Sequence, residues 1–337
     1  MTVSTAAPDT LARTEELLLK PLAEAVSALP LAVQPVVAHH LGWTRPNARV
    51  GETGGKAVRA TLVLLSAEAA GGPVDVAIGG AVAIEFVHNF SLLHDDVMDG
   101  DTERRHRPAA WTVFGEPLAL LAGTSLVARA QALLASAETN GPAAAACLER
   151  AVQQLVAGQA LDLSFERRDD VTVTDWVMMA EGKTAALLRA STTIGAMLAG
   201  ARPPLIDALS TYALHLGIAY QAVDDLLGIW GSPARTGKPV GRDLWQFKKT
   251  LPVVAALATG NDTARHLTAL LNEQASEGSD VARMTALIED NGGRIATEAE
   301  AARRVDRAVA AIDVPDVPAA VAADLTALAL FATARDR

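Results

Sequence analysis

The sequence has almost no cysteine, few aromatic residues and no surplus of positive charge. Its one cysteine, Cys147, excludes an internal disulfide, and no Cys/His spacing predicts a zinc site. The formal net charge is -10, which argues against a broad basic surface, so we expect no nucleic-acid partner. A local basic pocket in such an acidic chain would stand out by contrast.

Long apolar runs and targeting signals are also absent. No stretch of about 18 consecutive apolar residues occurs. The N-terminal sequence MTVSTAAPDTLARTEELLLK lacks the apolar segment behind a basic start that is typical of a signal peptide. We therefore expect a cytoplasmic protein without a transmembrane segment.

What the sequence does contain is typical of helices. Half of its residues are hydrophobic and only 4% are aromatic, so the core must consist mostly of alanine, leucine and valine. Glycine and proline clusters separate apolar stretches of helical length, and strand-like alternation is confined to a few residues around VTVT (171–174). The stretches are 74–99, 117–137, 143–163, 174–198 and 205–230.

The length of 337 residues would also allow two domains of about 150 residues each. No linker or change of composition divides the chain, so we predict one all-α domain over residues 1–337. Its motifs lie at about 45–260, and 261–337 is predicted to form peripheral C-terminal helices.

Two acidic groups lie on predicted apolar helices. Asp95 and Asp99 are one helical turn apart, where like charges repel unless a cation separates them, and hard carboxylate oxygens suit Mg²⁺. Asp224 and Asp225 lie within an apolar stretch, and buried carboxylates need partners or a metal. These groups predict two helices that face each other across a metal-containing cavity. The alternatives are an acidic helix end in solvent and two unrelated acidic positions.

Basic residues accompany these acids and predict phosphate binding. Arginine binds phosphate through a bidentate fork and lysine through a point charge. Any single member of the set could be a solvated surface charge, but together with two acidic groups they indicate metal-bridged diphosphate recognition. The set consists of Lys56, Arg59, Arg104, Arg105, Lys183, Lys238, Lys248 and Lys249.

Six ordered motifs resemble the trans-isoprenyl diphosphate synthases over about residues 45–260. They are GGKAVRA, HNFSLLHDDVMDGDTERR, AGQALDL, EGKTAALL, YQAVDDLLGIWG and GKPVGRDLWQFKKTLP. The resemblance implies a bundle of long helices around a deep apolar cavity, in a homodimer. It also implies Mg²⁺-dependent head-to-tail condensation of isopentenyl diphosphate with an allylic diphosphate, with three ions present when the allylic diphosphate is bound.

The same resemblance assigns roles to individual residues. Asp95, Asp96 and Asp99 match the first aspartate-rich motif, and Asp224 matches the metal ligand of the second, so that Asp95, Asp99 and Asp224 would bind metal. Lys56, Arg59, His88 and Arg105 match the isopentenyl diphosphate site. Arg104, Lys183, Thr184, Gln221, Lys238 and Lys248 match the allylic diphosphate site. The catalytic residues implied by the resemblance are Asp95, Asp96, Asp99, Lys183, Asp224 and Lys238. Asp101 and Arg107 match no such role, and we expect them to be solvated.

His88 also has an ordinary alternative as a core histidine. It lies seven residues before Asp95, about two turns, which places both side chains on nearly the same helix face. This spacing favours the role in substrate binding.

Three positions depart from the family pattern. Ala57 replaces a basic residue, Gly228 stands where many members have a third aspartate, and Phe247 stands where a glycine commonly precedes the last lysine. These departures leave open the alternative that the protein is a non-catalytic partner subunit. A class I terpene cyclase is the other alternative, although the residues after Asp225 lack the Ser/Thr and Glu of a cyclase motif.

The residues just upstream of the first motif bear on product length. Phe90 is the fifth residue before Asp95 and the small Ser91 is the fourth. In the family, bulk at these positions forms the floor of the product pocket. The pattern resembles short-chain synthases that make geranylgeranyl diphosphate, with farnesyl diphosphate as the alternative.

Overall fold

The computed structural model describes residues 8–44, 57–232, 241–272 and 278–334, which are almost wholly helical. The all-α prediction is confirmed. The helices are α1 (Asp9–Ser27), α2 (Gln34–Leu41), α3 (Val58–Ala69), α4 (Ile78–Met98), α5 (Ala110–Phe114), α6 (Glu116–Ala135), α7 (Gly141–Phe165), α8 (Val173–Ala180), α9 (Ala186–Leu198), α10 (Pro203–Trp230), α11 (Arg242–Trp245), α12 (Leu251–Leu257), α13 (Asp262–Asn272), α14 (Gly278–Asp290), α15 (Gly293–Ile312) and α16 (Ala319–Thr333).

Three short elements connect these helices. A 3₁₀ turn over Val74–Ala77 leads into α4, and a π-helical turn over Glu181–Ala185 joins α8 to α9. Strands β1 (Glu103–Arg104) and β2 (Arg107–Pro108) form a small antiparallel hairpin after α4. The hairpin and the π-helical turn both contribute to the cavity described below.

The helix starts follow from the sequence. Proline occupies the first or second position of α6, α7, α10 and α12, where its missing N–H removes no helical hydrogen bond. The VTVT segment forms no strand. Instead, Thr172 caps α8, because its side chain accepts a hydrogen bond from Asp175 N at 3.1 Å while the Asp175 carboxylate accepts from Thr172 N.

The core is built around α4, α9 and α10. Helix α4 packs against α3, α6 and α9, whereas α10 packs against α9, α15 and α16. The C-terminal helices, which the sequence predicted to be peripheral, belong to this core. Leu325 and Leu328 of α16 are buried in the same cluster as Leu62 and Tyr212, and the Tyr212 hydroxyl donates to Leu325 O at 2.7 Å.

Two segments are long and apolar enough to cross a membrane by length and composition alone. These are Val74–Met98, whose most apolar window is 61% buried, and Glu116–Ala135, with 33% of its window buried. Core helices of soluble proteins pass the same criterion. The first segment contains α4, and the second is α6, whose outer side carries exposed leucines.

Candidate active site

One large cavity brings most of the sequence-predicted residues together. Its volume is about 1730 Å³, and its wall is formed by α3, α4, the hairpin, α7, α8, the π-helical turn, α10, α11 with the residues after it, α15 and α16. The predicted residues that line it are Arg59, His88, Ser91, Asp95, Asp99, Arg104, Arg105, Lys183, Thr184, Gln221, Asp224, Asp225, Lys248 and Lys249. Lys56 and Lys238 lie outside the described residues.

The C-terminal end of α4 presents two carboxylates to the cavity. Asp95 and Asp99 both line it, and Lys248 Nζ lies 3.2 Å from Asp99 Oδ2. Burial raises the pKa of Asp95 to about 6, against the opposing charge of Lys183 and with that of Asp99. The raised pKa means that burial disfavours the charged form of Asp95 more than the neighbouring cations favour it.

Asp96 lies on the other side of α4 and does not line the cavity. It is 1% exposed, and its Oδ1 accepts a hydrogen bond from Arg104 Nε at 2.8 Å and another from the same guanidinium. The structure therefore does not bring Asp96 together with Asp95 and Asp99. It places Asp96 where it orients Arg104.

The π-helical turn brings Lys183 against α7. A Cβ on Gly158 would lie 2.1 Å from Lys183 N, so the two backbones approach closely only because this residue is glycine. Lys183 Nζ donates to Asp162 on α7. Burial alone lowers the pKa of Lys183, but Asp162 and Asp95 outweigh burial and raise that pKa above its ordinary value. Lys183 is therefore a fixed, fully charged cation facing Asp95.

Two adjacent aspartates on α10 have different environments. Both line the cavity, but Asp224 is exposed to it, whereas Asp225 is only 4% exposed. Asp225 Oδ2 accepts from Trp176 Nε1 at 2.7 Å and from Leu251 N at 2.8 Å. The sequence predicted that both aspartates would be buried, and this was wrong for Asp224.

Asp225 is also tied to the other predicted polar residues of this region. Its Oδ1 accepts from Gln221 Nε2 at 2.8 Å, and Gln221 in turn accepts a hydrogen bond from the Thr184 hydroxyl. Burial raises the pKa of Asp225 to about 7, against these hydrogen bonds. The chain of contacts fixes Gln221 and Thr184 at the wall of the cavity.

A second basic group lies on the α3 side of the cavity. Arg59 Nη1 is 3.4 Å from His88 Nε2, and Arg105 lines the same wall. Burial, followed by the charge of Arg59, holds the pKa of His88 well below its usual value, so the ring is neutral at pH 7. Arg105 lies in the hairpin turn with φ of 53°, a left-handed conformation, and its pKa is lowered by burial and by Arg104.

Glu85 and Asp162 are cavity residues that the motif assignments missed. Glu85 is 4% exposed on α4, and burial raises its pKa while Arg59 and Arg105 oppose that shift. It lies three residues before His88, so the helical spacing could have identified it. Asp162 lies in the matched AGQALDL motif and pairs with Lys183.

The segment that contains α11 contacts the first acidic motif. Arg242 of α11 forms an ion pair with Asp101, which is 2% exposed, and Gln246 Nε2 donates to Asp99 O at 3.4 Å. The expectation that Asp101 and Arg107 are solvated was wrong. Arg107 donates to the carbonyl oxygens of His39 and His40 at the end of α2, which anchors the hairpin.

Phe90 does not line the cavity, although Ser91 does. Its ring contacts the His94 ring edge-to-face, with a centroid distance of 4.6 Å, and it faces Gly123 on α6. Just before the first motif, the cavity wall is therefore formed by the small Ser91 together with Leu92.

The acidic residues fit Mg²⁺ only if other ligands complete its shell. In the described part of the chain, no group of three or more Asp, Glu, His or Cys residues is close enough to hold an ion alone. Asp95, Asp99 and Asp224 nevertheless present hard oxygens to one cavity beside several cations. Mg²⁺ commonly binds one or two carboxylates together with water and substrate phosphates, so the donor set fits an ion that arrives with a diphosphate.

Comparison with known proteins decides the family. The polyprenyl synthetase family model matches residues 44–288. The chain belongs to the polyprenyl synthetase family. It is therefore a prenyltransferase of the short-chain isoprenyl diphosphate synthase type.

Individual relatives match nearly the whole length of this chain. A (2E,6E)-farnesyl diphosphate synthase of Mycobacterium tuberculosis is 46% identical over 319 residues, 92% of this chain and 89% of the relative. A geranylgeranyl diphosphate synthase of the same species is 41% identical over 94% of this chain and 90% of the relative. The crystal structure of a polyprenyl synthetase from Streptomyces coelicolor is 44% identical, with a TM-score of 0.89 over 97% of this chain and 99% of that one.

Proposed function

We propose that this protein condenses isopentenyl diphosphate with an allylic diphosphate, head to tail and with Mg²⁺, most favourably to geranylgeranyl diphosphate. One observation carries the proposal: a single cavity contains two distinct basic groups. The first, around Lys183 and Lys248, lies beside the carboxylates of Asp95 and Asp99. The second, around Arg59 and Arg105, is formed with the neutral His88.

The two groups suit different diphosphates. A diphosphate that must leave needs the stronger neutralisation of metal and lysines together, whereas one that stays attached needs only binding. We therefore assign the carboxylate side to the allylic diphosphate and the other side to isopentenyl diphosphate. The proposed allylic site consists of Arg104, Lys183, Thr184, Gln221, Lys238 and Lys248, and the proposed isopentenyl site consists of Lys56, Arg59, His88 and Arg105.

Asp95, Asp99 and Asp224 would hold Mg²⁺, with three ions when the allylic diphosphate is bound. Bound Mg²⁺ supplies charge neutralisation on the departing diphosphate. Asp96 receives a different role from the one assigned by its motif, because it orients the Arg104 guanidinium. Thr184 and Gln221 are held in place through the buried Asp225.

The reaction needs no side-chain nucleophile. Lys183 and Lys248 stabilise the negative charge that develops as the allylic C–O bond breaks, which leaves an allylic cation. The isopentenyl double bond, held by Arg59 and Arg105, attacks that cation and forms the new C–C bond. The proton lost from the isopentenyl unit passes to the released diphosphate, and the helices around the cavity exclude water that would quench the cation.

Farnesyl diphosphate is the second candidate product. The relative that makes it is 46% identical to this chain, against 41% for the geranylgeranyl diphosphate synthase. The small Ser91 on the cavity wall favours the longer product, because it leaves room for another isoprene unit. The role of Phe90 as the floor stays a prediction, since its ring packs beside the cavity rather than within its wall.

Substitution at Ser91 tests product length. Ser91→Phe places a ring in the cavity, so we expect shorter products by mass spectrometry than those of the wild type. Phe90→Ala tests the sequence prediction separately. A longer product supports Phe90 as the floor, whereas an unchanged product assigns the floor to wall residues such as Ser91.

We further propose a cytoplasmic homodimer. Helix α6 is apolar on its outer side, where Leu120 and Leu121 are exposed together with Val113 of α5. A second copy of this chain, as the family resemblance implies, would cover that side.

One assay tests the proposed reaction. Purified protein receives labelled isopentenyl diphosphate, Mg²⁺ and dimethylallyl, geranyl or farnesyl diphosphate, and products are separated by chain length. We expect elongation that requires both diphosphates and is lost in Asp99→Asn but not in Asp207→Asn, an exposed position on α10. No product from any primer contradicts the proposal, and a cyclised hydrocarbon formed without isopentenyl diphosphate would instead indicate a cyclase.

A further inference from the structure

Position 228 of α10 lacks the carboxylate that its motif leads one to expect. Gly228 lies one helical turn after Asp224, and both residues line the cavity. In many proteins that the sequence resembles, this position is the third aspartate of the second motif. The missing group would have faced the same part of the cavity as Asp224.

Another carboxylate fills that space. A Cβ built on Gly228 would lie 1.8 Å from Asp243 Oδ2, 2.4 Å from its Cγ and 3.0 Å from its Oδ1. No side chain can stand at 228 while Asp243 keeps this position. Asp243 lines the cavity as well, and it comes from α11 rather than from α10.

Residues before and after Asp243 hold its segment in place through contacts with other parts of the chain. Before it, Arg242 forms an ion pair with the buried Asp101. After it, Lys248 Nζ lies 3.2 Å from Asp99 Oδ2, and Lys248 N donates to Asp243 O at 2.9 Å. The carboxylate is therefore placed against Gly228 by contacts that also reach the first acidic motif.

We infer that Asp243 supplies the carboxylate that position 228 lacks, so that Asp224 and Asp243 together hold Mg²⁺ on the second motif. The inference rests on the proposed function, which makes Asp224 a metal ligand. It explains how a chain with glycine at 228 keeps an acidic pair on this wall, and why the residue there is glycine rather than any larger one. A carboxylate at 228 and one at 243 are then interchangeable.

Reciprocal substitution tests this exchange without relying on turnover. Inorganic diphosphate is titrated calorimetrically into the full chain, with and without Mg²⁺. We expect Asp243→Ala to weaken Mg²⁺-dependent binding about tenfold or more, with no change in the absence of Mg²⁺. Gly228→Ala should weaken it too, because the new methyl group displaces the Asp243 carboxylate. The double variant Gly228→Asp/Asp243→Ala should recover most of the lost affinity.

Two controls separate this inference from its premise. Asp224→Asn should weaken Mg²⁺-dependent binding, and Asp207→Asn, the same charge change at the far end of α10, should not. If Asp224→Asn weakens binding while Asp243→Ala binds as the wild type does, the inference is overturned and the proposed function stands. If the double variant stays as weak as Asp243→Ala, the exchange is likewise refuted. If Asp224→Asn has no effect, the proposed metal site itself is wrong.

Discussion

At the scale of single residues, Asp224 and Asp225 show how one helix separates two neighbouring carboxylates. Asp224 faces the cavity, and Asp225 faces donors from α8, α10 and α12. Asp225→Asn replaces one accepting oxygen with an amide donor, so at least one buried donor loses its acceptor. We expect a loss of about 1–3 kcal/mol in the free energy of unfolding, measured by urea denaturation. Asp224→Asn is the matched control, expected within about 0.5 kcal/mol.

The buried His40 is expected to make the free energy of unfolding depend on pH. It is 3% exposed on α2, and burial together with Arg105 and Arg104 holds its pKa well below 6.5. Below pH 6.5 the unfolded chain therefore binds a proton that the folded chain does not. The contribution of His40 to stability is complete above that pH and is lost as the pH falls. As the pH falls from 6.5 to about 5, the free energy of unfolding should decrease less steeply in His40→Leu than in the wild type. The two slopes should differ by up to about 1.4 kcal/mol per pH unit. Parallel curves for the two proteins would contradict this prediction.

Most cavity residues could be predicted from sequence because their chemistry and their spacing on a helix are local properties. Asp101 could not, because Arg242 reaches it only through the tertiary fold. Two of the motif departures occupy strained backbone positions. Ala57 and Phe247 have φ of 47° and 52°, in the left-handed region that glycine adopts without strain. At 247, where the family commonly has glycine, the ring is partly buried against the apolar cluster that contains Leu244 and Val253.

At the scale of elements, the ion pair between Asp101 and Arg242 joins the two motif-bearing parts of the chain. Asp101 also lies 4.0 Å from Arg104, so it connects α11 to the hairpin. A double-mutant cycle with Asp101→Asn and Arg242→Met should give a coupling energy of about 1–3 kcal/mol in unfolding experiments. The control is the exposed pair Arg202–Asp316 at 2.8 Å, for which we expect less than about 1 kcal/mol. Equal coupling energies for the two pairs would mean that burial does not strengthen the ion pair between Asp101 and Arg242.

Helices were more predictable than their arrangement. Glycine and proline clusters at 70–73, 140–142 and 201–204 marked breaks between helices correctly, because proline is favoured at the start of a helix and glycine just beyond its end. Gly100, with φ of 65°, turns the chain from α4 into the hairpin in this way. Composition misled the interpretation of 261–337, whose charged surface suggested peripheral helices. Helices α15 and α16 bury one alanine- and leucine-rich face against α3 and α10 and leave the charges outside.

At the scale of the whole molecule, the exposed side of α6 is the surface that the proposed homodimer would cover. Leu121 is 57% exposed there, and Leu120 and Val113 are exposed nearby. Because burying apolar area drives association, one charge at the centre of such a contact should prevent it. We expect the wild type to sediment as a dimer and Leu121→Glu as a monomer at micromolar concentration, with unchanged helical circular dichroism. Val173→Glu, at another exposed apolar position, should stay dimeric. If Leu121→Glu remains a dimer, the second copy binds elsewhere and α6 must be exposed for another reason.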